Sequence, residues 1–197
     1  MNAHGMLTGI LNPLTESAPD PNRRSRGELC VDCLRQPSLE SAARGVCGHA
    51  GNAYNPFHLL LATAEGAVVL GNAAPAIARR DLAPGVHVLT NLDLDDPRCP
   101  RRAKAHALFE AAAAPLRDAD LGGFLESAAA ALADHSAPLD STPGAIPNNL
   151  CVHGDAYGTR SSTVIVFDAE IDRFRYWHAD GAPCRREHRE YDLPYEA

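Results

Sequence analysis

Apolar and polar positions alternate along this chain in three successive regimes: strands, then helices, then strands again. Leu7-Thr-Gly-Ile-Leu-Asn12 predicts a short strand that Pro13 stops. A loop follows from Pro13 to Arg24, carrying Pro19, Asp20, Pro21 and Asn22. Ser25 and Glu28 have capping-box spacing, so a helix is predicted from Arg26 to about Arg35. Its apolar positions Leu29, Cys30, Cys33 and Leu34 share one face. Pro37-Ser38 opens a second short helix through Arg44, closed near Gly45.

Phe57 to Ala62 and Ala67 to Leu70 predict a hairpin turning at Ala64-Glu65-Gly66. Asn72 to Pro75 reads as a turn before a weaker strand near Ile77, and Val86 to Thr90 as the next strand. Helices are predicted from about Pro100 to Ala114 and from about Ala119 to Ala133. The second carries an apolar stripe of Leu121, Phe124, Leu125 and Leu132. His135 to Asn149 is a proline-bearing loop. From Thr163 the residues are β-branched or apolar without a break, which predicts a strand buried on both faces. A turn at Asp168 to Asp172 leads to a strand through Phe174, Tyr176 and His178, and the tail from Arg185 reads as an edge strand. No repeat is visible. The expected fold is a single α+β domain over residues 1–197, layered with mainly antiparallel sheets.

The chain is 45% hydrophobic over 197 residues, enough for a core. Its formal net charge of −7 argues against nucleic acid or an anionic membrane surface as partner. No apolar run reaches the roughly 20 residues of a membrane span. Met-Asn-Ala-His-Gly-Met has neither the basic nor the apolar region of a signal peptide, so the cytoplasm is expected. The six cysteines are then expected as reduced thiols.

Three groupings carry candidate chemistry. Cys30-x-x-Cys33 with Cys47 and His49 has zinc-type donors, but the pair sits on the packed face of a helix and the spacing is unfamiliar, so no metal is expected. Cys151-Val-His153 near Asp155 invites a cysteine-nucleophile reading, since alternation on a strand puts both side chains on one face. The strongest grouping is Asn12, Asn91 and Arg160, each at the end or mouth of a strand. Two amides supply oxyanion donors there, and a guanidinium orients a carboxylate or stabilises negative charge. Tyr157, Thr159 and Ser161 on the arginine's turn are expected to line the substrate's approach. The bland alternatives are turn-bonded asparagines and a salt-bridged arginine closing the sheet edge.

Five blocks then resemble one family: Leu7-Thr-Gly-Ile-Leu-Asn-Pro13, Ser25-Arg-Gly-Glu-Leu29, Tyr54-Asn-Pro-Phe57, Leu82-Ala-Pro-Gly-Val86 with Leu89-Thr-Asn91, and Tyr157-Gly-Thr-Arg-Ser-Ser-Thr163. In this order they resemble the NRDE family, which includes the transport and Golgi organization protein 2 homologues. The resemblance implies an αββα sandwich like that of N-terminal-nucleophile (Ntn) hydrolases, which cleave linear amides. It further implies oxyanion roles for Asn91 and Asn12 and an active-site role for Arg160. The family begins Met-Cys, the cysteine being its nucleophile, and carries an Asn-Arg-Asp-Glu block. Here residue 2 is Asn2 and that tetrapeptide is absent. The expectation is therefore an N-terminally truncated, inactive relative, with exposed sheet edges that favour a homo-oligomer. The rival is a carrier or chaperone for haem or another small molecule, for which the resemblance also speaks. His4, His58 and Cys99 are then the candidate axial ligands; otherwise no cofactor is expected.

Overall fold

The computed structural model describes residues 1–2, 5–15, 18–72, 76–136, 149–154 and 157–192. His4, Asp155 and most of the loop between His135 and Asn149 lie outside the described residues. The chain forms two compact units, one over Met1–Leu94 and one over Asp95–Pro194. Each combines helices with an antiparallel sheet, so the fold is α+β.

In the first unit, strands β1 (Leu7–Leu11), β2 (His58–Ala62), β3 (Ala67–Gly71) and β4 (Ala78–Asp81) pair antiparallel in that order. The predicted hairpin is β2–β3, closed by the Thr63 N–H on Gly66 O at 2.9 Å. Its register sets Leu59 opposite Leu70 and Leu61 opposite Val68, so those four share a face. Helices α1 (Arg26–Leu34) and α2 (Leu39–Cys47) cover that face with Leu29, Cys33, Ala42, Ala43 and Val46, and Tyr54 and Phe57 complete the core. Ser25 caps α1 as its spacing predicts, accepting from the Glu28 N–H. Helix α2 runs past Gly45, where a stop is predicted. Ala42, Ala43 and Val46 pack so closely that burial overrides glycine's cost of about 1 kcal/mol in a helix.

Asn72, predicted only as part of a turn, is the polar pin of this unit. Its buried side chain accepts from the Phe57 N–H at 2.8 Å and donates to Gly51 O at 2.9 Å and Tyr54 O at 3.2 Å. It thereby fastens the Tyr54-Asn-Pro-Phe57 segment to the end of β3. The predicted strand over Val86–Thr90 does not form. Only Leu89 makes a bridge, to Leu94, because Thr90 Oγ1 takes the Leu92 N–H and turns the chain instead.

In the second unit, α3 (Pro100–Ala112), a 3-10 turn (Ala114–Asp118) and α4 (Leu121–Leu132) precede β5 (Ser162–Asp168), β6 (Arg173–Ala179) and β7 (Arg189–Tyr191). The three strands pair antiparallel in chain order, with β7 the predicted edge. The α4 stripe of Leu121, Phe124, Leu125 and Leu132 packs with Ala128 against Val164 and Trp177, as predicted. Strand β5 is not buried on both faces. Val164 and Val166 meet the helices, whereas Thr163 on the other face bonds His178 Nδ1 at 2.9 Å, so its continuous β-branched run reflects strand propensity, not double burial. Among the described residues no helix is long and apolar enough to cross a membrane.

Replacing Asn72 with alanine strands one buried N–H and two carbonyls. The Asn72→Ala chain is expected to lose about 2–3 kcal/mol of stability, seen as a lower urea midpoint at an unchanged slope. A loss under about 0.5 kcal/mol contradicts the pinning role.

Candidate functional site

Asn12 follows β1, and Asn91 lies on the turn after Leu89. The structure ties their segments together through the Leu14 N–H, which donates to Asn91 O at 2.6 Å. Both asparagines are exposed, and among the described residues neither side-chain amide makes a hydrogen bond. Asp93 sets the turn: it accepts from the Leu94 N–H at 2.7 Å and from Arg80 Nη1 at 3.1 Å, with Arg80 Nη2 on its other oxygen. Burial pushes the Asp93 carboxyl upward, but those donors outweigh it and leave it below the usual carboxylate range. Buried His58 on β2 places Nδ1 4.0 Å from that carboxylate. Among the described residues neither His58 ring nitrogen has a hydrogen-bond partner.

Arg160 belongs to the second unit, two residues before β5. It is exposed, and no carboxylate pairs with it among the described residues, so the salt-bridged reading is not what the structure displays. Thr159 shapes its turn: its N–H donates to Val152 O at 2.9 Å, and its hydroxyl accepts from the Val152 N–H at 3.0 Å. Gly158 allows this closeness, since a Cβ there would meet Val152 O at 3.0 Å. Tyr157 is 71% exposed and Ser161 is exposed.

The same pairing organises a cluster that sequence only half revealed. The Cys151 N–H donates to Asp134 O at 3.0 Å, just past α4, so the segment 151–153 is fastened on both sides. Alternation brings Cys151 Sγ within 3.7 Å of His153 Nε2, as the Cys-x-His spacing predicts. What it could not predict is Cys184, whose Sγ lies 3.7 Å from Cys151 Sγ and 3.1 Å from His153 Nε2. His135 stacks on His153 with ring centroids 5.0 Å apart. Burial raises the Cys151 thiol pKa, and the neighbouring Cys184 adds to the shift. Desolvation lowers His153, with Arg185 and His135 opposing its protonation as well.

Cys30 and Cys33 behave as packing groups. Burial pushes the Cys33 thiol up to about 12 and raises Cys30, which suits small hydrophobes on the face of α1 rather than nucleophiles. Cys99 caps α3. Exposed His87 bonds Ala83 O at 2.9 Å. Beside the cluster, a groove of about 750 Å³ runs between α4 and the sheet, floored by Ala129, Val164 and Trp177 and rimmed by Cys184, Arg185 and Arg186.

Antiparallel sheets faced by helices define an α+β protein. The chain belongs to the family described as Transport and Golgi organisation 2 (TANGO2), whose sequence profile matches residues 1–178. A search of curated proteins found no match.

Exchanging Asp93 for asparagine weakens the turn that carries Asn91. A carboxylate held below its ordinary range stabilises the fold above about pH 4 and loses that contribution as the pH falls through its folded value. Asp93→Asn is therefore expected to cost about 0.5–1 kcal/mol at pH 7, discounted for partial exposure, and nearly nothing at pH 2. Equal losses at both values contradict the ion-pair account.

Proposed function

We propose that this TANGO2-family chain binds a small linear amide or acyl carboxylate on a frame of Ntn-hydrolase type. Asn12 and Asn91, both in the first unit, donate side-chain N–H groups to the ligand's carbonyl oxygen. The carrying observation is that both amides are uncommitted among the described residues while their segments are joined backbone to backbone. Beside this frame, Asn2 donates to Leu34 O at 2.8 Å and accepts from the Met6 N–H at 2.9 Å. It braces the start of β1 against the end of α1.

The groove of the second unit favours a second reading, a carrier for a flat apolar ligand such as haem. Buried His58 is a poor axial ligand in that case. Trp177, the only tryptophan, lines this groove and reports on it directly.

Calorimetry with an N-acyl amino acid, in parallel with Trp177 fluorescence, separates the two. The first reading predicts saturable binding that Asn91→Ala and Asn12→Ala each weaken about 3–10-fold, with unchanged fluorescence. Binding indifferent to both substitutions contradicts it. Saturable quenching of Trp177 by haemin at one equivalent supports the carrier instead.

A further inference from the structure

We infer that His135, Cys151, His153 and Cys184 form a four-coordinate zinc site. Their donor atoms all lie within 4.8 Å of one another. Zinc sits about 2.3 Å from sulfur and about 2.0 Å from nitrogen, which sets sulfur–sulfur and sulfur–nitrogen edges of a tetrahedron at roughly 3.8 and 3.5 Å. The observed sulfur pair is 3.7 Å apart, and the sulfur–nitrogen contacts are 3.7 and 3.1 Å. These three edges are close to those of a tetrahedral shell, and His135, whose donor lies within 4.8 Å of the others, is placed to supply the fourth ligand.

The donor set narrows the ion. Two thiols and two imidazoles, with no carboxylate among them, suit zinc and disfavour calcium or magnesium. Two thiolates neutralise the dication, which suits a centre whose Cys151 is fully buried and whose rim carries Arg185. Four protein donors leave no open position, so the site is structural rather than catalytic. A disulfide explains the geometry less well. Both cysteines are free, their sulfurs are far from the ~2.05 Å of a bond, and a disulfide needs neither histidine. A cysteine–histidine nucleophile accounts for Cys184 and His153 but leaves buried Cys151 and stacked His135 without a role.

The site would fasten three separate pieces of the second unit. His135 follows α4, Cys151 and His153 precede the Arg160 turn, and Cys184 sits on the turn between β6 and β7. Asp134 O accepts from the Cys151 N–H at 3.0 Å, and the Asp134 carboxylate is itself held by Lys104 and by Ser136 Oγ at 2.6 Å. Through the Val152–Thr159 pair the metal fixes the loop that presents Arg160.

The test uses the full chain, purified under reducing conditions and stripped of metal. Zinc is expected to bind one per chain, tighter than about 10 nM in competition with a chromophoric chelator, and to release about two protons near neutral pH. Cobalt(II) in its place should give the intense visible bands of a tetrahedral site and a near-ultraviolet thiolate charge-transfer band. Cys184→Ser and His135→Ala, both at exposed positions, should each weaken zinc more than about 100-fold, while Cys47→Ser and Cys99→Ser leave it unchanged. Wild-type affinity weaker than about 1 μM, an octahedral cobalt spectrum, or zinc affinity unmoved by Cys184→Ser overturns the assignment. So does finding Cys151 and Cys184 joined as a disulfide in a parallel sample purified anaerobically without reductant. The cobalt spectrum of the wild-type chain decides the matter even where a variant fails to fold.

Discussion

Three hydrogen bonds hold the second unit's chemistry in place: Cys151 N–H on Asp134 O at 3.0 Å, Thr159 N–H on Val152 O, and Val152 N–H on the Thr159 hydroxyl. Pinned this way the segment behaves as a short strand, so Cys151 and His153 must emerge on one side. The same pairing turns the chain toward Arg160. Geometry on both sides of the segment follows from one constraint, which couples a sulfur–imidazole cluster to the placement of an exposed guanidinium.

The first unit solves a matching problem with amides. Asn72 is buried and satisfied at every polar atom, and it holds the Tyr54–Phe57 segment against the sheet. Asn12 and Asn91 are exposed, and their side-chain amides bond to nothing among the described residues. The same side chain is structural in one place and available in the other. A buried amide without partners would be costly, whereas an exposed one remains in water until a ligand arrives. Asp93 with Arg80 gives the exposed pair its stable backdrop.

Much of this was legible in the residues. Ser25 with Glu28, the stripe of Leu121, Phe124 and Leu125, and the hairpin around Gly66 are local signals, and the structure follows them. The family resemblance rested on five blocks and is carried by the match over residues 1–178. Long-range closure was invisible. Cys184 lies 31 residues from His153, and nothing near either predicts their contact. Local competition was equally hidden at Thr90, where a hydroxyl captured the Leu92 N–H and ended a strand that Val86 and Val88 had suggested. Asn72 was read as a turn residue because its partners Gly51, Tyr54 and Phe57 precede it by some distance along the chain.

A single centre linking α4, the Cys151 segment and the turn at Cys184 is the claim that most shapes how the second unit works. X-ray absorption at the zinc edge of the purified, zinc-loaded chain tests it most directly. The account predicts a shell of two sulfurs at about 2.3 Å and two nitrogens at about 2.0 Å. A shell of oxygen or nitrogen alone would contradict it.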